Sequence, residues 1–388
     1  MNVVLKFVRF YGYRGLRIVK GSMQYVWDDS GRKYLDCHAG HGAAFLGHSN
    51  PAIVEAVVRQ ARELVAASSS FSTPSLEEAL TEFSRIAPPW AEEIVFLNTG
   101  TEAVEAALKA AWLATGKRGI VALKNSFHGR TLASLSVTWN PRYRRGVPVL
   151  DTRFLSPSTD PGEVEKLVPE DTAAIIVEPI QGEGGLTKIY AELAKALREA
   201  ADRVGALLIF DEIQTGFGRT GRVWAHESLG VEPDIMTAGK SIAGGLPASA
   251  VLSREGVLAT LASGRHGSTH AANPLSMAAV AAASRFLREE GVPDKARAAG
   301  ALLEGLLRDR IEGLRLVRGV RGEGLMLGVE LRLDPGPVLR CLQESERVLA
   351  LRSGATVVRL LPPYSISRED AEMVVYGLER CICGGSGC

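Results

Sequence analysis

Short apolar runs recur along the middle of the chain: IVFLN (94–98), IVALK (120–124), AAIIVE (173–178), ALLIF (206–210) and ASAVL (248–252). Turn residues bound each run, and helical stretches such as residues 101–113 and 190–204 separate them. Continuous apolar strands alternating with helices predict a mostly parallel sheet covered by helices on both faces. Upstream, GSMQYVWDDSGRKYLD (21–36) holds two aromatic and β-branched runs around Asp28-Asp29-Ser30-Gly31, which predicts a β-hairpin. Asn50 and Pro51 then read as the cap and first residue of a helix. Val54, Val57, Val58, Ala61, Leu64 and Val65 continue it with helical period. A capping box, Ser75-x-x-Glu78, predicts the start of a second helix there.

After residue 275 the pattern changes. An Ala-rich helix runs to Leu287, a further helix lies near 298–312, and LRLVRGVRGEGLMLGVELRL (314–333) reads as a strand pair. Another strand falls in TVVRLLPP (356–363), and a closing helix starts at 368. The expected organisation is α/β, a large domain at 51–275 built on the parallel sheet and a smaller α+β domain at 276–388. The N-terminal segment, 1–50, is expected to pack with the small domain.

Length and composition narrow the function classes. At 388 residues with 46% hydrophobic and 23% charged residues, the chain can bury a large core. Lys and Arg number 45 against 44 Asp and Glu, so the basic excess of a dedicated nucleic-acid binder is absent. No run approaches the roughly 20 apolar residues of a membrane span, and the start does not read as a signal peptide. The cytosol is the expected compartment. Of five cysteines, Cys381, Cys383 and Cys388 crowd the end. They read as incidental thiols on a frayed terminus, with a metal or redox tail as the alternative.

Four groups carry candidate chemistry, each at or just beyond the end of an apolar run, where open α/β sheets bind ligands. Asn98-Thr99-Gly100-Thr101-Glu102 leads from a strand through glycine into a helix, whose first amides are free to hold a phosphate. Alone, such a turn is more often an ordinary cap. Asp211 directly follows the run ALLIF; a buried carboxylate there needs a cation, and an Asp capping the next helix is the alternative reading. Lys240 lies between apolar runs and glycines in DIMTAGKSIAGGLP. Desolvation would suit its amine to Schiff-base chemistry, whereas a snorkelling Lys is the plainer reading. His266-Gly-Ser-Thr-His270 offers small hydroxyls for phosphate or merely forms a polar loop, and no third ligand at metal spacing accompanies its histidines. Together, a phosphate cradle, a buried carboxylate, a desolvated Lys and a hydroxyl loop describe pyridoxal phosphate chemistry.

The runs YVWDDSGRKYLD, LNTGTEAVEAALK, KNSFHGRTLASLSVT, VEPIQGEGG, LLIFDEIQTGFGRTGRVWA, PDIMTAGKSIAGGLP, HGSTHAANPL and VVRLLPPY carry a family resemblance from about residue 15 to 380. The chain resembles the acetylornithine/ornithine group of class III, fold-type I, pyridoxal-phosphate-dependent aminotransferases. Within it, the chain looks most like the archaeal enzymes of lysine and arginine biosynthesis. Those transaminate a terminal amine while the substrate's α-amine is attached to an acidic amino-group carrier protein.

The resemblance implies roles. Lys240 would hold the cofactor's aldehyde and shuttle the proton. Asp211 would pair with the ring nitrogen and Gln214 with the 3-oxygen, with Glu212 and Ile213 in the same cofactor shell. Gly100 and Thr101 would hold the phosphate, joined by Thr269 from the partner subunit of a homodimer, and Phe127 would stack on the ring. Arg130 and Arg359 match carboxylate-binding arginines, Glu183 matches the acid that gates Arg359, and Ser268 would lie near substrate. Thr99, His41 and His270-Ala271-Ala272 depart from the usual family residues, which bears on substrate preference.

The expected activity is ping-pong transfer of a terminal amino group to 2-oxoglutarate. Another ω-amine aminotransferase, for 4-aminobutyrate or free ornithine, is the alternative. An aminomutase is disfavoured by the presence of both Arg359 and Glu183, and a non-catalytic scaffold by intact Lys240 and Asp211.

Overall fold

The computed structural model describes residues 5–384. Its centre is a seven-stranded sheet in the order Glu93–Leu97, Ser249–Ser253, Ile235–Ala238, Leu207–Asp211, Thr172–Val177, Gly119–Leu123, Arg153–Leu155. Every neighbouring pair from Ile235–Ala238 to Arg153–Leu155 is parallel. Ser249–Ser253 runs antiparallel to both of its neighbours. All five apolar runs are strands. Arg153–Leu155 and Ile235–Ala238 are two further strands that the apolar pattern does not single out.

Strand periodicity explains why those runs are apolar throughout. Ile120, Ala122, Ala174, Ile176 and Ile209 point into one core with Ala103, Val104 and Leu108 of the helix Gly100–Thr115. The intervening Val121, Leu123, Ile175, Val177, Leu208 and Phe210 enter another with Leu193, Ala194 and Leu197 of Ala191–Val204. Both faces are therefore dry, and alternation with polar residues would strand unpartnered groups in a core.

The C-terminal part is an antiparallel sheet in the order Val317–Glu323, Met326–Leu331, Val357–Leu360, Leu351–Ser353, accompanied by the helices Val292–Arg310, Gly336–Glu344 and Arg368–Cys383. Tyr25–Asp28 and Lys33–Asp36 form the expected hairpin, with an extra strand, Ile18–Ser22, outside it. The Asp28 carboxylate accepts from the Ser30 and Arg32 amides (3.0 and 2.9 Å), which closes the turn. Val348–Leu349 adds parallel to Lys33–Asp36, tying the N-terminal strands to the C-terminal part.

Two local expectations need correction. The second helix, Pro74–Ser84, is capped not by Ser75 but by Thr73, whose hydroxyl accepts from the Leu76 amide. Pro74 then takes the first helical position, to which its fixed φ is suited. The terminus is not frayed at Cys381. It lies inside the helix Arg368–Cys383, which buries Val374, Val375, Leu378 and Ile382 and is disulfide-bonded to Cys341 (Cα–Cα 5.6 Å). Cys388 lies outside the described residues. Among the described residues, no helix is long and apolar enough to cross a membrane.

Candidate active site

The carboxyl ends of the central strands converge on a cavity of about 300 Å³. Its lining includes Gly100, Thr101, Phe127, Arg130, Glu183, Asp211, Ile213, Gln214 and Lys240. These nine come from five separate stretches of chain, and the sequence points to each of them. Five further residues that the sequence does not single out, Tyr11, His128, Gly129, Glu178 and Thr215, line the cavity as well.

Lys240 follows the strand Ile235–Ala238 after one glycine and takes a left-handed backbone, φ 49°. Burial lowers its amine from 10.5 to about 8; Glu183 opposes this and Arg359 adds to it. Asp211 closes its strand at 4% exposure. One carboxylate oxygen lies 2.7 Å from His128 Nδ1, while the other accepts from the Ile213 amide (3.1 Å) and the Thr237 hydroxyl (3.0 Å). His128 Nε2 is buried without a partner among the described residues. Glu178 stands behind them, pushed up to about 7 mainly by burial, and accepts from the Phe127 and Gly182 amides. An acid directly after a fully apolar strand is the signal that marked Asp211, and it marks Glu178 equally well.

The part of the lining around Gly100 and Thr101 suits an anion. Thr99 caps Gly100–Thr115 with a complete capping box, which leaves further first-turn amides for a ligand. Thr101 Oγ1 meets the hydroxyls of Thr131 and Ser134 at 2.8 and 2.7 Å. Glycine is required here: a Cβ on Gly129 would come within 2.3 Å of Thr101 Oγ1, and one on Gly100 within 2.9 Å of Ile213.

Two arginines differ in their state. Arg130 is exposed, donates to the Tyr11 hydroxyl (3.2 Å) and lies against the rings of Tyr11, Phe127 and Tyr143, with no carboxylate partner among the described residues. Arg359 is 1% exposed and held by Glu183 (2.7 Å), the Gly182 carbonyl (2.6 Å) and Gln214 Oε1 (2.9 Å). Burial pushes the Glu183 carboxyl up, but Arg359 and Lys240 outweigh it and hold the group below its usual value. Guanidinium only donates, so Gln214 must face it with its oxygen, leaving the amide NH₂ for the cavity.

Three expected residues are not brought to the cavity by this chain. The Glu212 carboxylate turns away to His226 (backbone 2.7 Å, Nδ1 3.0 Å) and the Thr215 hydroxyl. Ser268 sits outside the lining, against Asn98 (3.1 Å) and Glu102 (3.3 Å), and Thr269 lies beside it in the same loop.

The aminotransferase class-III family model matches residues 12–382. The chain belongs to the class III aminotransferases. A LysW-aminoadipate semialdehyde/glutamate semialdehyde transaminase from Sulfurisphaera tokodaii is 50% identical over 368 residues, covering 95% of each chain. The ornithine aminotransferase of Toxoplasma gondii superposes with a TM-score of 0.90 at 30% identity, covering 98% of this chain and 93% of that one. A PLP-bound amine transaminase from an uncultivated Pseudomonas species gives 0.88 at 27% identity, covering 99% and 100%.

Pyridoxal phosphate is the cofactor this family implies, and the site fits it. Lys240, an amine lowered by burial, would take its aldehyde, the buried Asp211 carboxylate would face its ring nitrogen, and the glycine-bounded hydroxyls around Thr101 would hold its phosphate. Phe127 and Ile213 supply apolar walls for the ring.

Proposed function

We propose that this aminotransferase moves the terminal amino group of a carrier-linked lysine- or ornithine-type substrate to 2-oxoglutarate, in lysine or arginine biosynthesis. The observation that carries the reading is the unequal pair of arginines around Lys240, Arg130 with no carboxylate partner among the described residues and Arg359 held by Glu183. When bound, pyridoxal phosphate supplies the aldehyde that takes the amino group and a ring that withdraws charge from the reacting carbon. Lys240 Nζ moves the proton to and from that carbon. Asp211, kept in place by His128, Thr237 and the Ile213 amide, holds positive charge at the ring nitrogen.

Glutamate brings two carboxylates, and Arg130 and Arg359 bind one each. A terminal-amine donor brings no carboxylate to Arg359, and a desolvated guanidinium left alone is costly. Glu183 then neutralises it, as in the present structure. Glu183→Gln frees Arg359, so the glutamate half-reaction should gain on the terminal-amine half-reaction in stopped-flow measurements. Equal slowing of both, or selective slowing of glutamate, would make Glu183 structural.

The carrier accounts for a second opening. A groove of about 720 Å³ shares Phe127 and Glu183 with the cavity and runs out past Arg142 and Tyr143. Arg142 lines this groove and Arg145 follows it three residues on; both are exposed, and neither forms an ion pair among the described residues. Such a rim complements an acidic protein. Charge reversal of both (Arg142→Glu, Arg145→Glu) should raise KM for a carrier-linked substrate about tenfold, ~1.4 kcal/mol, and leave KM for free acetylornithine unchanged. One steady-state comparison of carrier-linked, acetylated and free amines tests the whole reading; preference for free ornithine or 4-aminobutyrate would overturn it.

A homodimer with shared sites completes the proposal. Thr269 lies off its own cavity, where a partner's cradle could use it, and Val54, Val58, Leu64, Val65 and Phe71 form an exposed apolar stretch. A cytosolic location suits a carrier-linked biosynthetic step.

A further inference from the structure

Arg219 is among the largest fully buried side chains, at 2% exposure, yet no carboxylate pairs with it among the described residues. It stands in a turn whose neighbours Phe217, Gly218 and Gly221 all have left-handed backbones (φ 57°, 90° and 86°). Its guanidinium donates to the carbonyls of Leu325 (2.9 Å), Pro362 (2.6 Å) and Gly42 (3.4 Å), and lies 4.2 Å over the Phe45 ring. Burial lowers it to about 9, with Arg359 adding to the effect. Taking a charge out of water without a counter-ion is expensive, so the arrangement calls for a reason beyond filling space.

The three carbonyls supply one. Pro362 lies three residues past Arg359, at the exit of the strand Val357–Leu360. Leu325 leads into Met326–Leu331, whose Gly328 pairs with Arg359. Gly42 belongs to the N-terminal loop beside the catalytic lysine: a Cβ there would meet Leu361 at 3.4 Å and both Arg219 Nη2 and Lys240 Cδ at 3.9 Å. The backbone doubles the link, since the Leu325 amide donates to the Arg219 carbonyl (3.0 Å) and a Cβ on Gly324 would strike Thr220 at 2.4 Å. Arg219 thus ties the sheet that carries Arg359 to the turn that follows Asp211. Only Arg has enough donors in a rigid fork to reach carbonyls of three separate segments.

We infer that Arg219 is a positioning residue, a bracket that sets the distance between the carboxylate grip of Arg359 and the amine of Lys240. This rests on the reading of Arg359 as a carboxylate grip. The chemistry at Lys240 needs only the central sheet, whereas dicarboxylate recognition needs both sheets in register. Loosening the bracket should therefore weaken substrates through their carboxylates and spare the reacting end.

The test uses the holoenzyme and three measurements: KM for glutamate, binding of glutarate by calorimetry, and the rate at which methoxyamine, which has no carboxylate, captures the cofactor aldehyde. Arg219→Lys keeps the charge but loses the fork. It should raise glutamate KM and glutarate Kd about tenfold, with methoxyamine capture within threefold of wild type. Phe45→Leu keeps every donor and removes the ring beneath it; it should show the same split, more weakly, and serves if Arg219→Lys does not fold. Glutamate and methoxyamine falling together, or neither changing, would overturn the inference. Arg359→Ala measured alongside separates two failures. If glutarate binding survives that change, the grip reading falls. If it is lost there but intact in Arg219→Lys, the bracket alone falls.

Discussion

Lys240→Ala is expected to abolish transamination outright. Loss of a positioned proton-transfer group alone costs about 10²–10⁴-fold, and the variant also loses the amine proposed to anchor the cofactor. Among the described residues no other lysine lines the cavity, so nothing there stands ready to replace it. Borohydride reduction of the loaded protein followed by peptide mapping should place the cofactor on Lys240; a label on any other lysine would sink the assignment. The lowered amine adds a pH signature. Only the unprotonated amine attacks an aldehyde, and its fraction rises through the group's pKa. Loading of the apo-protein should therefore accelerate with pH around a midpoint of about 8, rather than near the 10.5 of an ordinary lysine. A midpoint near 10 would mean that burial does not act on this amine.

The parts of the molecule legible in the sequence share a physical cause. Strands buried on both faces favour apolar residues almost throughout, so the run from Ala173 to Val177 announces itself, with every residue buried. Arg153–Leu155 is three residues long at a sheet edge and offers too little pattern to read. The cofactor side of the site was legible for a related reason. Asp211 and Lys240 each break an apolar pattern at or just past the end of a strand, where a charge needs a purpose; Glu178 carries the same signal without being singled out. Contacts made across the fold leave no local trace. Tyr11 meets Arg130 across 119 positions, His128 meets Asp211 across 83, and Arg219 meets Pro362 across 143. Nor does a separation of 40 residues mark Cys341 and Cys381 as partners. His128 shows the difference most clearly. It sits between Phe127 and Arg130 in a run that the family resemblance covers, yet its role appears only when the strand end bearing Asp211 is brought beside it.

Asp211→Asn should keep the shape of the site and lose most of its rate. Asparagine retains an oxygen for the Ile213 amide and the Thr237 hydroxyl, so the strand end need not move. It lacks the negative charge that, in a site only 4% exposed, favours a proton on the ring nitrogen. Its NH₂ also faces a His128 Nδ1 that now meets an acceptor 2.7 Å away, so the histidine must change tautomer or turn. Binding of pyridoxal phosphate should therefore survive in part, because the phosphate cradle and Lys240 are untouched. The glutamate half-reaction should fall at least about a hundredfold, ~2.7 kcal/mol. Stopped-flow absorbance follows that half-reaction directly, and a pH titration of the bound cofactor's spectrum reports whether its ring nitrogen has lost the proton. Rates within threefold of wild type would show that Asp211 does not govern charge at the ring. A hundredfold loss with an unchanged titration would place its effect in geometry, with His128 as the next residue to vary.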